Sequence, residues 1–330
     1  MGEGGTAGEQ PGRRDRAAGE QPGRRGTPAG QPPSRRDRIA AQRASAQRVQ
    51  RRNRLLIAGG AIVAVVAIVL GFALSSGNSP ATSSGGGPTT TLPTGAALAQ
   101  VVSTTTTVPA ATVDTVGAGT ATTKPMPITG APLTSGGKPE MLYMGAEYCP
   151  YCAAERWAMV VALSRFGTFH GLNATHSAAK DGSGAAEPFP NTATFTFYRS
   201  TYTSTYVTFT PVELNTNIPD PSTGFYTTLQ TPTAAQQALL SKYDGASGGA
   251  IPFIDYGNKL MTVGATYDPG VLAGLTWSQI ANDLHNPNSP VAKAALGAAN
   301  YTTAAICSLT GDQPATACTS VVKSLQAQFG

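Results

Sequence analysis

Two cysteines three residues apart, Cys149 and Cys152, stand in the stretch Met141-Leu-Tyr-Met-Gly-Ala-Glu-Tyr-Cys149-Pro-Tyr-Cys152-Ala-Ala-Glu-Arg-Trp157. An apolar run leads into the pair and a helical pattern follows it. A thiol just before a first helical turn meets unpaired backbone N–H groups and the positive end of the helix dipole. Such a setting lowers a thiol pKa from about 8.5 to between about 3.5 and 7.5. Cys149 is thus the expected nucleophile. Cys152, one turn further in, is the expected resolving thiol, able to attack a mixed disulfide formed at Cys149. Pro150 suits the helix start because its missing N–H costs nothing there. Two plainer readings compete, half of a zinc site and a structural disulfide. Zinc needs a second pair of ligands at similar spacing. The remaining cysteines, Cys307 and Cys318, are far along the chain, and His170, His176 and His285 form no ligand pattern.

A second feature favours redox chemistry. Gly248-Gly-Ala-Ile251-Pro252-Phe-Ile-Asp-Tyr-Gly257-Asn-Lys-Leu-Met-Thr-Val263 reads as two short strands joined by a Gly-Asn turn. A proline cannot donate to a sheet ladder, so Pro252 belongs at a strand's first residue or an edge. A cis Ile251–Pro252 bond accounts for it, since cis peptides are nearly always X-Pro. An ordinary trans proline at a strand start is the alternative.

Cys-Pro-Tyr-Cys before a helix, together with Ile251-Pro252 before a hairpin, resembles the thioredoxin superfamily. The segments 137–152, 154–157, 164–167 and 251–255, with the Cys307/Cys318 pair, are more closely similar to domain-of-unknown-function family 929, membrane-anchored proteins with a thioredoxin-like core. This resemblance covers about residues 96–330. It implies that Pro252 is cis and faces the dithiol, that Ile251 offers its backbone to a substrate chain, and that Tyr148, Pro150 and Tyr151 border the same contact. It supplies no substrate. Two departures from ordinary thioredoxins stand out: Tyr148 replaces the usual Trp, and Tyr143 replaces a buried acid that assists proton transfer from the second thiol. Glu147 is the candidate to take that proton. The alternative for Glu147, Glu155 and Arg156 is surface solvation and helix-start electrostatics. His170 and His176 read as loop residues.

The elements that position these residues emerge from the rest of the chain. Its formal net charge of +5 is unevenly spread. Residues 1–54 hold 13 Arg and 5 acidic residues, whereas residues 55–330 hold 10 Lys and Arg against 13 acidic. The first segment is low in complexity: Gly8–Arg14 recurs as Gly19–Arg25. It lacks the apolar side chains for a core, so disorder is expected. No aromatic residue interleaves its arginines to stack bases, which favours anionic lipid over nucleic acid. Leu55–Leu74 is 20 residues without a charge, enough to cross about 30 Å of hydrocarbon. The arginines before it place the N-terminus in the cytoplasm. A cleaved signal peptide is the alternative, and both leader and apolar run are long for one. Residues 75–95 form a Ser/Thr/Gly/Pro linker, after which a helix and an edge strand are expected to join the folded domain.

From Lys138 onward the reading is a strand at 140–146, a helix from Pro150 to about Phe166 ended by Gly167, and strands at 192–198 and 206–214. Its inward face is Trp157, Val160, Val161 and Ser164. Capping boxes at Thr233/Gln236 and Thr276/Gln279 open two helices. A helix from Ser289-Pro290 to about Leu309 and a last helix over 319–328 follow. Cys307 and Cys318 are compatible with a structural disulfide closing a short loop, worth about 3 kcal/mol or less. A second redox pair relaying electrons to the dithiol is the sharper alternative.

The expectation is therefore an α/β, thioredoxin-like domain over 96–330, with an insertion between the Cys-Pro-Tyr-Cys helix and the proline-opened strand, behind a transmembrane helix. The expected activity is thiol–disulfide exchange on protein cysteines outside the cytoplasm, with no cofactor or metal beyond the redox-active disulfide. Expected partners are secreted or envelope proteins with cysteines, a membrane electron-transfer protein and membrane lipids, with no nucleic acid. A non-catalytic envelope protein of the same fold, binding a partner and carrying structural disulfides, is the alternative from a different class. A thiol peroxidase is a third possibility, which no Thr-x-x-Cys supports.

Overall fold

The computed structural model describes residues 91–245 and 249–329, together with Met1. The Arg-rich segment, the apolar span Leu55–Leu74 and most of the linker lie outside the described residues. Among the described residues no helix is long and apolar enough to cross a membrane.

The fold is mixed α/β around one mixed sheet. Its central strand is β3 (Lys138–Gly145), five of whose eight residues are buried. The side chains alternate between two cores, as a strand covered on both faces requires. Met141 and Tyr143 enter the larger core, whereas Leu142 and Met144 enter a smaller one with Val212, Leu240 and Phe253. On one side β3 pairs antiparallel with β11 (Phe253–Tyr256), which pairs in turn with β12 (Leu260–Val263). On the other side it pairs in parallel with β8 (Thr208–Glu213), with Gly145 opposite Glu213. Two short strands, β1 (Met126–Pro127) and β2 (Thr134–Ser135), complete the sheet. The edge strand expected before residue 138 is present, and so is a helix, α1 (Gly95–Thr106), followed by α2 (Ala110–Val116).

Helix α3 (Pro150–Ser164) packs in the larger core rather than on the surface. One inward face of Trp157, Val160, Val161 and Ser164 is expected, but burial runs around the whole helix from Cys152 to Leu163. A helix enclosed on all sides belongs in a core. Two of its carbonyls also accept from outside: Thr194 Oγ1 donates to the Ala153 oxygen and Tyr267 Oη to the Ala154 oxygen, each at 2.7 Å. The long α6 (Pro290–Thr310) is lined with alanines and packs in the same core; Ser289 caps it, as expected. The capping boxes at Thr233/Gln236 and Thr276/Gln279 are both complete and open α4 (Ala234–Asp244) and α5 (Trp277–Asp283). The last helix is α7 (Ser320–Gln326).

Two local expectations are corrected. Gly167 does not end α3, which closes at Arg165; it opens β4 (Gly167–His170). A Cβ there would stand 2.2 Å from the Thr203 carbonyl oxygen, so glycine is needed for the approach to β7 (Thr201–Ser204). His170 and His176 end β4 and β5 (Asn173–His176) rather than lying in loops. Strand β5 pairs with β6 (Ala193–Thr196), and β9 (Asn215–Asp220) pairs with β10 (Phe225–Thr228). These three two-stranded sheets and α4 occupy the long segment between α3 and β11.

Candidate functional site

The chain leaves β3 at Gly145 and turns into α3 through Ala146–Cys149. Cys149 is the N-cap of α3, with extended backbone, and Pro150 takes the first helical position. The backbone N–H of Cys152 donates to Cys149 Sγ at 3.3 Å. The expected helix-start geometry is therefore present, with the sulfur serving as the cap acceptor. Both thiols are free and both are buried; Cys149 is 5% exposed and Cys152 fully enclosed.

Their titration is set in opposite directions. Burial alone pushes the Cys149 thiol up, but hydrogen bonds from the Cys152 side chain and backbone, with the Arg156 charge, bring it below its ordinary value. Burial pushes Cys152 well above its ordinary value, and the hydrogen bond to Cys149 and the charge there push the same way. The proton is thus held more tightly at Cys152 than at Cys149.

The Ile251–Pro252 peptide is cis, and Cys149 Sγ lies 3.8 Å from the Ile251 carbonyl oxygen. Pro252 immediately precedes β11, and Gly257-Asn258 forms the turn to β12, both residues with positive φ. The dithiol and this proline, a hundred residues apart, thus meet at one end of the sheet.

Aromatic rings flank the motif. Tyr148 stacks on Tyr226 at 4.1 Å and meets Phe225 edge-on at 5.3 Å. Tyr151 meets Phe189 edge-on at 6.2 Å. The backbone is tied in as well: Glu147 N–H donates to the Asn215 oxygen and Ala178 N–H to the Tyr148 oxygen. Phe225 and Ile218, both on the β9–β10 hairpin beside Tyr148, are exposed. The Glu147 side chain is half-buried, and burial raises its pKa against the opposing effect of the Thr196 hydroxyl.

Glu155 and Arg156 correct the surface reading, since both are fully buried. Arg156 makes a bidentate pair with Glu213, Nε to Oε1 at 2.9 Å and Nη2 to Oε2 at 2.6 Å. Phe197 N–H also donates to Glu213 Oε1, which makes this a buried charge pair with extra hydrogen bonding. Glu155 Oε2 accepts from both the N–H and the hydroxyl of Thr266, while its Oε1 has no partner. Burial raises Glu155 to about 7, against those two hydrogen bonds. Glu213 escaped the sequence reading; a lone acid in the otherwise uncharged run 206–214 was the available signal.

Cys307 and Cys318 form a disulfide, with Cα atoms 5.8 Å apart, at the junction of α6 and α7. Among the described residues the grouping with metal-ligand character is Cys307, Asp312 and Cys318. Its two sulfurs are already bonded to each other, and Asp312 pairs with Lys323.

Residues 124–308, more than half of the chain, match the family described as domain of unknown function, DUF929. The chain belongs to that family. No curated protein and no solved structure matches it. The DUF929 segment contains the dithiol, Arg156, Glu213 and Pro252, and it ends one residue beyond Cys307. Cys318 lies outside the match.

Proposed function

We propose that this chain is a membrane-anchored thiol–disulfide oxidoreductase with a thioredoxin-like core, acting on protein cysteines outside the cytoplasm. The observation that carries the reading is Cys149 capping α3, its sulfur accepting from Cys152 N–H and lying beside the Ile251 carbonyl. Cys149 attacks a substrate disulfide, or its own disulfide with Cys152 is attacked. Cys152 then closes on Cys149 and releases the partner. Ile251 and Pro252 align the partner backbone, and Tyr148, Pro150 and Tyr151 border it. Glu147 takes the proton that Cys152 loses. The dithiol cycles between two thiols and one disulfide, and its electrons pass to or from a membrane partner. Support for the core comes from the order strand, Cys-Pro-Tyr-Cys, helix, with the proline-opened hairpin β11–β12 antiparallel to β3. Anchoring by Leu55–Leu74 and lipid contact of the Arg-rich segment rest on composition. The Cys307–Cys318 disulfide is a structural staple in this reading.

The second reading, a partner-binding envelope protein, draws on the small exposure of Cys149. Trapping separates the two. Cys152→Ser stalls the cycle, so cells expressing it accumulate a reducible, higher-mass adduct that survives acid quenching, whereas Cys149→Ser gives none. If neither variant traps a protein, the partner-binding reading takes its place. Anchoring is checked by a reporter fused after Gly330, expected outside the cytoplasm; a cytoplasmic signal contradicts the topology.

A further inference from the structure

Where β3 runs into the dithiol, two hydrogen-bond donors are left over. Tyr143, on the face of β3 turned toward α3, is wholly buried, and its hydroxyl has no hydrogen-bond partner. A buried hydroxyl left unpaired is destabilising, because it loses its hydrogen bonds to water and gains none. Phenylalanine at the same place keeps the ring packing against Phe197 and avoids that cost. The phenol lies over Gly145, two residues on and on the same strand face: a Cβ on Gly145 would stand 2.0 Å from the hydroxyl oxygen. Glycine there gives the phenol room, and the phenol is held well above its ordinary pKa by burial, to which the Cys152 and Cys149 charges add.

Arg156 supplies the second donor. It follows Cys152 by one turn of α3, so both side chains occupy the same helix face. Glu213 engages its Nε and Nη2, while Nη1, also buried, has no partner. The guanidinium carbon lies 5.9 Å from the centre of the Tyr143 ring. Glu213 holds the guanidinium in place by a bidentate pair and at the same time faces Gly145 across the β3–β8 ladder.

We propose that Tyr143 and Arg156 stabilise the second thiol in its ionised form: the phenol O–H and the free guanidinium N–H, neither bonded to the Cys152 sulfur while it is a thiol, donate hydrogen bonds to it once it is ionised. The inference rests on the exchange chemistry proposed above and deepens it. In the free dithiol, the Cys149 charge and hydrogen bond help keep the proton on Cys152, and the Arg156 charge opposes them. When Cys149 becomes bonded to a substrate sulfur its charge disappears; burial still favours the thiol, and the Arg156 charge still opposes it. Cys152 then gives its proton to the Glu147 carboxylate. Its thiolate attacks Cys149 Sγ, the Cys149–substrate S–S bond breaks, and the substrate leaves as a thiolate that takes a proton from solvent. The substrate disulfide has gained two electrons and the Cys149–Cys152 pair has lost two. Tyr143 and Arg156 keep their protons throughout, lowering the cost of a buried thiolate.

The test titrates Cys152 by thiolate absorbance in the full chain carrying Cys149→Ser, which mimics the uncharged Cys149 of the adduct. Adding Tyr143→Phe is expected to raise the Cys152 pKa by about one unit, the usual scale for losing a hydrogen bond to a charged group. With both cysteines present, the same change slows adduct release about tenfold. Its unfolding midpoint should equal or exceed the parent's, because an unpaired hydroxyl is removed. Site-specific 3-fluorotyrosine at 143, a more acidic phenol of nearly the same shape, is expected to lower the Cys152 pKa and serves if Tyr143→Phe does not fold. An unmoved Cys152 titration in either folded variant overturns the inference and leaves the oxidoreductase reading standing. A parent protein that exchanges no disulfide fails that reading instead, and the titration shift still reports on the donors.

Discussion

The two cysteine pairs of this chain are a natural comparison. Both are buried, yet one is a pair of free thiols and the other a disulfide. Cys149 and Cys152 share one helix start, where backbone N–H groups, the helix dipole and the Arg156 charge act on sulfur. Cys307 and Cys318 lie 11 residues apart, join the end of α6 to the start of α7, and have no basic side chain paired with their sulfurs among the described residues. Burial therefore does not distinguish the free pair from the bonded pair here. What distinguishes them is which charges and N–H groups are aimed at the atom.

The largest expected difference is in alkylation. In protein whose Cys307–Cys318 bridge is intact, iodoacetamide at pH 6 should label Cys149 more than about tenfold faster than Cys152, as a thiol lowered by a helix N-terminus does, and should leave the bridge untouched. Equal rates at Cys149 and Cys152, read by peptide mass spectrometry, would remove the asymmetry between them.

Next comes stability. Replacing Cys307 and Cys318 together by alanine is expected to cost about 3 kcal/mol, the chain-entropy scale for a loop of this length, while the Cys149 labelling rate stays as it was. A change in that rate on removing the bridge would mean the pairs communicate, and the relay alternative would gain.

The smallest effect is the share of the pH dependence of stability that Glu155, on the dithiol helix, contributes. Glu155 has its folded pKa raised to about 7 by burial, above its unfolded value near 4.5. Its contribution to stability is thus fully present below about 4.5 and is lost as pH rises through about 7, because the native state must then hold a buried carboxylate. Between pH 6 and pH 7 the loss is about 1 kcal/mol, given 1.36 kcal/mol per pKa unit. Urea midpoints should show Glu155→Gln flattening this slope, with Thr266 still donating to the amide oxygen. An unchanged slope would assign the pH dependence elsewhere.

The sequence by itself determined the features that neighbours in the chain enforce. The helix start at Cys149-Pro-Tyr-Cys152, both capping boxes, the Ser289 cap and the Gly257-Asn258 turn are all present, because each closes hydrogen bonds within about four residues. Residue types at short spacing carry that information. Only the tertiary structure decided where charge and free donors lie around the sulfurs. Glu155 and Arg156 read as a solvated helix start because their partners, Thr266 and Glu213, are 111 and 57 residues away. Gly167 read as a helix stop because the Thr203 carbonyl it admits belongs to another strand. The role of Gly145 shows only once the Tyr143 phenol is seen lying over it. A buried charge or an unspent hydroxyl is defined by what surrounds it on every side, and most of those surroundings come from distant parts of the chain.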